Sequence, residues 1–398
     1  MKTVDSYNFN NQKALIRVDF NVPLDKTTFA ITDDSRMTAS LPTINKILND
    51  GGTIILMSHL GRPKGGPEDK YSLKHLVSHL AELLKRPVKF ANDCIGDATT
   101  QLIKGLQKGD VLLLENLRFH TEEEKGDEAF AKQLAAYGDV YVNDAFGTAH
   151  RAHASTTIVA KFFAADKKMF GYLMAAEVEN AERVLRSNEH PFTAIIGGAK
   201  VSDKMLILEQ LISVADNILI GGGMAYTFFK AMGGNIGNSL CEDDKLDLAK
   251  EILEKAHQRN VNIYLPADSV TGDKFSNDAQ IGQCESMSIT TGYMALDIGP
   301  KAVAEFSKVI ASSKKILWNG PMGVFEMSHF ANGTKQVALA VAAATKNGAY
   351  SLIGGGDSAA AIHKFGLSDQ VSYVSTGGGA LLEYFEGKVL PGVAAINN

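Results

Sequence analysis

The chain has 398 residues, 45% hydrophobic and 21% charged, with a formal net charge of −5, which predicts a globular protein of two or three domains. The negative charge argues against nucleic acid as a partner. No apolar run is long enough for a membrane span, and the N-terminus has no apolar core, so neither a membrane span nor a signal peptide is expected. The three cysteines are far apart, form no metal-ligand spacing and favour the reducing cytoplasm.

The charge is unevenly distributed. Residues 1–170 carry a net charge of +1 and six of the ten histidines, whereas residues 171–398 carry a net charge of −6. The first part of the chain is therefore the expected home of a highly charged anionic ligand.

Four apolar segments in the first half predict buried strands that alternate with helices. The predicted strands are 13–20, 53–58, 110–114 and 140–142, and the predicted helices include 35–49 and 73–84. Continuous apolar strands alternating with helices are typical of a parallel sheet covered on both faces.

Polar side chains follow each of these strands. The pairs are Asp19 and Asn21, His59 and Arg62, Asn116 and Arg118, and Asp144 and Arg151. Because the carboxyl ends of parallel strands share one edge, these arginines should converge there, with Arg36 joining from a helix. Converging arginines repel one another unless they bind an anion, so we expect a small substrate with several negative charges. His59 alone could be a core residue, but its place beside Arg62 favours a site role.

The segment 171–186 is a good helix without internal glycine or proline, and a breaker cluster, 187–191, follows it. We place the domain boundary here, with the helix as the connector.

The second half repeats a strand, a glycine-rich turn and a helix. This pattern occurs in segments 193–209, 217–227 and 351–361, and a further GGG precedes a helix in 374–393. Such turns let backbone N–H groups approach phosphates, which favours a nucleotide, although glycine also serves ordinary tight turns. Neither GxxxxGK[ST] nor GxGxxG occurs, which argues against a Walker loop and against dinucleotide binding.

In 193–209 the predicted helix, 199–209, carries Lys200 and Lys204 on one face of its first turn. Two cations at the positive end of a helix suggest a bound anion, although solvated lysines are the commoner case.

Two carboxylates of the second half each have two possible roles. Glu326 could accept hydrogen bonds from ribose hydroxyls or be a solvated turn carboxylate. Asp357 could cap a helix or hold Mg²⁺ beside phosphates.

Nine motifs together carry a resemblance to a known family. They are RVDFNVP (17–23), SHLGRP (58–63), LLENLRF (113–119), NDAFGTAHRAHAS (143–155), GGAKVSDK (197–204), LIGGGMAYTF (219–228), WNGPMGVFE (318–326), GGGDSAA (354–360) and STGGGALLE (375–383). In this order and over essentially the whole chain they resemble phosphoglycerate kinase of bacterial type. Tyr293 stands where the family often has tryptophan.

The resemblance implies an α/β fold of two doubly wound parallel-sheet domains joined by a hinge helix. The implied divisions are 1–170 for triose-phosphate binding, 171–187 for the connecting helix, 188–376 for nucleotide binding and 377–398 for a C-terminal segment returning to the first domain. A cytoplasmic monomer without nucleic-acid or membrane partners is expected.

The resemblance also implies a site and a reaction. The catalytic residues would be Arg36 and Lys200, and the residues expected to bind the triose are Asp19, Asn21, Arg36, His59, Leu60, Gly61, Arg62, Arg118 and Arg151. Those expected to bind the nucleotide are Lys204, Gly221, Gly222, Gly292, Asn319, Glu326, Gly355, Gly356, Asp357 and Ser358, with Asp357 also meeting Mg²⁺. The implied glycolytic reaction is 1,3-bisphosphoglycerate plus MgADP giving 3-phosphoglycerate plus MgATP, reversibly, with domain closure.

Two other functions remain open from the residues. One is another α/β enzyme of phosphorylated metabolites, such as a dehydrogenase, against which the absence of GxGxxG argues. The other is an anion-binding module without catalysis, against which the presence of Lys200, Arg36 and Asp357 argues.

Overall fold

The computed structural model of the protein describes residues 1–64 and 66–397, and the chain forms two compact units. The first unit comprises Met1–Glu179 and Val389–Asn398, and the second comprises Asn180–Lys388. Each unit is built on a six-stranded parallel sheet, as the sequence predicted. No helix among the described residues is long and apolar enough to cross a membrane.

The first unit has six parallel strands in the order β3-β4-β2-β1-β5-β6. The strands are β1 (Lys13–Val18), β2 (Thr53–Met57), β3 (Lys89–Phe90), β4 (Val111–Leu113), β5 (Val140–Asp144) and β6 (Lys168–Phe170). The helices are α1 (Ser35–Asn49), α2 (Val77–Leu84), α3 (Asp97–Lys104), α4 (Thr121–Lys125) and α5 (Glu128–Ala135), and α6 (Tyr172–Arg186) begins in the first unit and ends in the second. From β1 the chain first adds β2, β3 and β4 on one side of the sheet and then β5 and β6 on the other side. In open α/β sheets, ligands bind in the crevice at such a switch point, here between β1 and β5.

The central strands are buried on both faces, which explains their continuous apolar sequences. All five residues of β2 are buried, and Leu15 of β1 lies between Ile55 and Tyr141 of its two neighbours. The strands are mostly shorter than predicted, because the polar residues after them leave the ladder and turn toward the sheet edge. The predicted helix 73–84 opens as a 3₁₀ turn, Leu73–Leu76, before it becomes α2.

Asp144 differs from the expectation that it belongs to the polar edge. It is fully buried, and its Oδ1 accepts a hydrogen bond of 3.1 Å from the backbone N–H of Met174 in α6. Burial raises the pKa of Asp144 to about 7, while its hydrogen bonds oppose that rise. Asp144 is therefore part of the support for α6.

We predict that Asp144→Asn changes the pH dependence of stability. A folded-state pKa above the unfolded value means that the native carboxyl stabilises the fold at low pH, and that this contribution is lost as pH rises toward 7. Asparagine has the same shape and does not titrate. When the pH is raised from 5 to 8.5, the free energy of unfolding of the variant should therefore increase, relative to that of the wild type, by on the order of 3 kcal/mol. Denaturant unfolding at both pH values measures this, with the exposed Asp166→Asn as the control. Parallel stability curves for Asp144→Asn and the wild type would contradict it.

The second unit contains a six-stranded parallel sheet in the order β15-β14-β13-β7-β8-β9 and a three-stranded sheet in the order β11-β10-β12. The strands are β7 (Phe192–Ile196), β8 (Asn217–Ile220), β9 (Asn262–Tyr264), β10 (Asp268–Gly272), β11 (Ile281–Glu285), β12 (Met294–Ile298), β13 (Lys315–Asn319), β14 (Tyr350–Gly354) and β15 (Tyr373–Val374). The helices are α7 (Met205–Leu211), α8 (Ala225–Ala231), α9 (Leu246–Gln258), α10 (Pro300–Ala311), α11 (Asn332–Lys346), α12 (Gly356–Lys364) and α13 (Gly379–Phe385).

The three-stranded antiparallel sheet was not predicted from the sequence. Its outer strand β11 alternates exposed and half-buried residues and contains little apolar sequence. Its strands therefore lack the continuous apolar signal by which the other strands were recognised.

The prediction that Lys200 and Lys204 share the first turn of one helix was wrong. Helix α7 begins only at Met205, and the preceding residues form turns. Ser202 is held there by Glu242, whose Oε2 accepts the backbone N–H at 3.0 Å and whose Oε1 accepts the hydroxyl at 2.5 Å. A side chain from elsewhere in the unit thus anchors this turn and satisfies the backbone N–H of Ser202.

The C-terminal segment divides later than the expected residue 377. Helix α13 belongs to the second unit, where it contacts α7, and Tyr384 Oη donates to Glu182 Oε1 at 3.2 Å. Only the stretch from Val389 onward, with α14 (Pro391–Asn397), belongs to the first unit. There the backbone N–H of Gly392 donates to the carbonyl of Ala149 at 2.8 Å.

Candidate active site

The loops after β1 and β2 and the start of α1 meet at the edge of the first sheet. Arg36 Nη1 lies 3.2 Å from Asp19 Oδ2 and donates to the carbonyl of Asn21 at 3.0 Å. The side-chain oxygen of Asn21 accepts the backbone N–H of Gly61 at 2.8 Å. Three segments far apart in sequence are therefore linked into one rigid corner.

The loop after β4 joins the same corner. Arg118 Nη1 donates to the carbonyl of Gly61 at 2.8 Å, and Asn116 Nδ2 donates to the carbonyl of Leu60 at 2.7 Å. Gly61 has φ of +64°, and a Cβ there would lie 2.4 Å from the ring of Tyr71. Only glycine allows the loop to pass between the Tyr71 ring and Arg118 in this conformation.

The remaining two predicted arginines lie on exposed loop positions. Arg151 Nε donates to His150 Nε2 at 3.1 Å. Arg62 is exposed and forms no hydrogen bond or ion pair with the residues that the structure describes. Contacts thus unite Asp19, Asn21, Arg36, Gly61 and Arg118, while Arg62 and Arg151 present their guanidinium groups to solvent.

Two histidines of this edge, His59 and His153, have pKa values below the usual range of histidine. His59 is 4% exposed, and burial, followed by repulsion from Arg17, Arg118 and Arg36, holds its pKa well below the usual range. Burial and the Arg118 charge lower the pKa of His153 to about 4. The positive charge of the site near neutral pH therefore comes from arginines, which stay protonated in proteins.

The second unit holds a cavity of about 380 Å³ beside its glycine-rich turns. Three predicted nucleotide residues line it, namely Gly222, Glu326 and Asp357. Its apolar walls, which the sequence analysis did not identify, include Leu240, Met294, Leu296 and Phe275, whose side chain is 64% exposed. An apolar cavity whose lining also contains carboxylates and glycine backbone suits a flat ring carrying polar substituents.

The cavity lies at the switch point of the second sheet, between β7 and β13. The backbone N–H of Gly197, directly after β7, donates to the carbonyl of Asn319 at the end of β13, at 2.9 Å. A Cβ on Gly197 would lie 2.0 Å from the carbonyl oxygen of Pro321. The glycine therefore allows the two turns to approach closely, at the position where such sheets bind ligands.

Lys204 and Asn319 form the centre of a second cluster. Lys204 Nζ donates to Asn319 Oδ1, and Asn319 Nδ2 donates to the carbonyl of Gly354 at 2.9 Å. Burial lowers the pKa of Lys204, and the nearby Asp357 carboxylate opposes that shift. The predicted residue Ser358 is fully buried, and its hydroxyl accepts the backbone N–H of Gly320 at 2.5 Å.

The other predicted nucleotide residues have different positions. Gly355 and Gly356 open α12 directly beside Asp357, and Gly221 is adjacent to Gly222 in the turn after β8. Gly292 is exposed in the turn before β12 and is absent from the described lining of the cavity. Lys200 is exposed and directly follows the lining residue Ala199.

Residues 4–388 match the family model of phosphoglycerate kinase. The chain belongs to the phosphoglycerate kinase family. It is 54% identical to the phosphoglycerate kinase of Porphyromonas gingivalis, with 99% of each chain covered, and 54% identical to that of Chloroherpeton thalassium, with 100% of this chain and 99% of the relative covered. The solved phosphoglycerate kinase structure from Coxiella burnetii superposes with a TM-score of 0.90 at 40% identity, covering 99% of this chain and 98% of that one.

Phosphoglycerate kinases work on nucleotides, so the possible metal ligands matter. Asp357 lies at the start of α12, exposed and at the rim of the cavity, where its carboxylate fits Mg²⁺. Mg²⁺ in such enzymes is usually held by one or two carboxylates together with substrate phosphates. A separate group of possible ligands, Asp93, Cys94 and His120, lies within 4.8 Å, but Asp93 and His120 there hydrogen bond to each other at 2.7 Å.

Two charged residues that are buried beneath the edge of the first sheet, Arg17 and Glu123, could not be recognised from the sequence. Arg17 was visible only as a basic residue inside an apolar strand, and it is 1% exposed. Glu123 is fully buried, although it lies in the highly charged stretch TEEEK. That composition is typical of a solvated helix, so nothing in the sequence distinguishes Glu123 from its neighbours.

Proposed function

We propose that this chain transfers a phosphoryl group reversibly between 1,3-bisphosphoglycerate and MgADP, giving 3-phosphoglycerate and MgATP. The observation that carries this is the full-length match to phosphoglycerate kinases together with an arginine-lined edge on one unit and a glycine-rich cavity on the other. A cytoplasmic monomer is part of the same proposal, and the three free cysteines support a reducing location.

In the first unit the anionic triose would bind to the arginine-rich edge. Arg36 and Arg118 are held by Asp19, Asn21 and the Gly61 carbonyl, so their guanidinium groups need little further ordering to meet a phosphate or carboxylate. Arg62 and Arg151, which are exposed, would close on the ligand from adjacent loops.

In the second unit the nucleotide base would occupy the apolar cavity. Phe275 and Leu240 offer flat and aliphatic surfaces, Glu326 could accept from ribose hydroxyls, and the phosphates would run toward Lys204 and the start of α12. The first N–H groups of a helix and nearby glycine turns favour phosphate oxygens.

The chemistry requires positioning and charge neutralisation. In the ATP-consuming direction the nucleophile is the substrate carboxylate, which is ionised at neutral pH, so no general base is needed. Lys200 and Arg36 would stabilise the charge on the transferring phosphoryl group. Mg²⁺, when bound at Asp357, would neutralise charge on the phosphate oxygens.

Direct transfer requires donor and acceptor atoms to meet, so the proposal includes a closing movement upon binding of both substrates. Closure would also exclude water that could otherwise accept the phosphoryl group. Small-angle scattering should show a smaller radius of gyration with both substrates than with either alone, and an unchanged radius would contradict closure.

A coupled assay tests the proposed reaction. We expect ATP to form from ADP and 1,3-bisphosphoglycerate, and 3-phosphoglycerate to be consumed in the reverse direction. Absence of turnover with retained binding of both ligands would favour an anion-binding module. Binding of NAD(H) in place of ADP would favour a dehydrogenase.

A further inference from the structure

A chain of buried hydrogen bonds connects Glu123 on α4 to His59 at the edge of the first sheet. Arg17 Nη2 lies 3.2 Å from His59 Nδ1, and Arg17 Nε donates to Ser155 Oγ at 2.8 Å. Ser155 Oγ lies 2.6 Å from Glu123 Oε1, and the backbone N–H of Ser155 donates to Glu123 Oε2 at 2.9 Å. Glu123 and Ser155 are 0% exposed, and Arg17 is 1% exposed.

The chemistry of arginine sets the direction of each bond in this chain. A guanidinium has only hydrogen-bond donors, so Ser155 Oγ must accept from Arg17, and its own hydroxyl hydrogen is donated to Glu123. For the same reason His59 Nδ1 must accept, which leaves the proton of the neutral ring on Nε2. Both oxygens of Glu123 accept hydrogen bonds, which favours its carboxylate form, whereas burial raises its pKa.

Glu123 also provides a negative charge close to buried arginines. Arg17 and Arg118 both interact electrostatically with Glu123. Buried cations without a counter-charge are strongly unfavourable, and removal of one partner of such a group costs far more than it does at the surface. Glu123 is therefore the buried counter-charge of Arg17, and it adds to the attraction that Arg118 already has from Glu124 Oε1 at 3.3 Å.

We propose that Glu123 is a positioning residue of the triose site, which acts through Ser155 and Arg17 to hold His59 as the Nε2–H tautomer. This inference rests on the proposed function, because His59 is taken to bind the triose. Glu123 itself is fully buried and contacts the site through Ser155 and Arg17.

The first test replaces Glu123 with glutamine, which has nearly the same shape but no charge and only one acceptor. The amide cannot accept from both donors of Ser155, so the contact between Ser155 Oγ and Arg17 Nε weakens, whereas the hydrogen bond from Arg17 Nη1 to the carbonyl of Val18 remains. We expect the KM for 3-phosphoglycerate to rise about tenfold or more, the effect of losing one charge-assisted hydrogen bond, and the KM for ATP to stay unchanged. Glu122→Gln, on the same helix but exposed, is the matched control.

A second variant guards against simple loss of folding. Ser155→Ala keeps the carboxylate but removes the hydroxyl between Glu123 and Arg17, and it should raise the same KM. Thermal unfolding of each variant identifies folded samples. If folded Glu123→Gln and Ser155→Ala both keep the wild-type KM for 3-phosphoglycerate, the positioning role is overturned.

The third readout does not depend on turnover. Long-range ¹H–¹⁵N spectra of the free chain report which ring nitrogen of each histidine carries the proton, and His59→Gln identifies the His59 signals. We expect an Nε2–H tautomer in the wild type and a mixture of tautomers in Glu123→Gln. An unchanged His59 signal in Glu123→Gln would overturn the proposal even with normal wild-type activity. An inactive wild type would overturn the proposed function and leave the tautomer result readable.

Discussion

Replacing Lys200 with alanine is expected to lower kcat by about 10²–10³-fold, the usual effect of removing one group that stabilises transition-state charge. Lys200 is exposed in the turn that follows Gly198 and Ala199, both of which line the cavity of the second unit. It is proposed to meet the phosphoryl group only in transit. An interaction made only in the transition state lowers kcat and leaves ground-state binding intact.

The measurement is steady-state kinetics in both directions combined with ADP binding by calorimetry. Lys250→Ala, an exposed lysine on α9 of the same unit, is the matched control and should behave as the wild type. Lys204→Ala gives the contrast, because Lys204 is partly buried against Asn319 and should chiefly raise the KM for nucleotide. A Lys200→Ala enzyme with near-normal turnover would contradict the role assigned to this residue.

The different behaviour expected of the two lysines depends on a feature that the sequence did not predict. Their spacing of four residues fitted a helix, but Glu242 fixes Ser202 in a turn instead, so that Lys204 precedes α7 and Lys200 stands apart from it. The competing interaction comes from a residue 40 positions away. Local periodicity carries no information about such a contact.

The two sheets were predictable because their strands are buried on both faces. Segments such as β2, in which four apolar residues follow Thr53 and all five are buried, predict a buried strand, and the shared direction of the strands brings the polar residues that follow them to one edge. The contacts of Arg36 with Asp19 and of Arg118 with Gly61 follow from that topology. The antiparallel sheet and the apolar walls around Phe275 could not be found, since β11 contains little apolar sequence and the wall residues come from separate segments of the chain.

The buried residues that support the arginine-rich edge of the first sheet could be found only from the structure. Arg17 and Ser155 are 138 residues apart, and Glu123 lies in a run of acidic residues whose other members are exposed or near the surface. The role proposed for Glu123 depends on the directions of the hydrogen bonds, and these follow from the positions of its partners Ser155, Arg17 and His59. Composition shows the charge but cannot show that it is buried.

Asp357→Asn is expected to raise the Mg²⁺ concentration needed for half-maximal activity and to lower kcat/KM for MgADP by about 10²-fold, as expected when a metal-binding charge is lost. Asp357 lies at the rim of the cavity and acts electrostatically on Lys204. Removing the carboxylate is expected to weaken metal binding there and removes the largest of the acidic charges that act on Lys204. Binding of ADP in the absence of Mg²⁺ should therefore change little, or strengthen slightly through reduced repulsion.

The alternative role for Asp357, as a helix cap, makes a different prediction. The N-cap position of α12 is Gly355, and no side chain forms a capping hydrogen bond there. Were capping the main role, Asp357→Ala would cost about 1 kcal/mol of stability and asparagine, a good cap, would restore it. Titrating Mg²⁺ against activity for both variants, with the exposed Asp369→Asn as control, separates the two roles. A wild-type Mg²⁺ dependence in Asp357→Asn would exclude Asp357 as a metal ligand, whereas equal shifts in both variants would tie the effect to the lost charge.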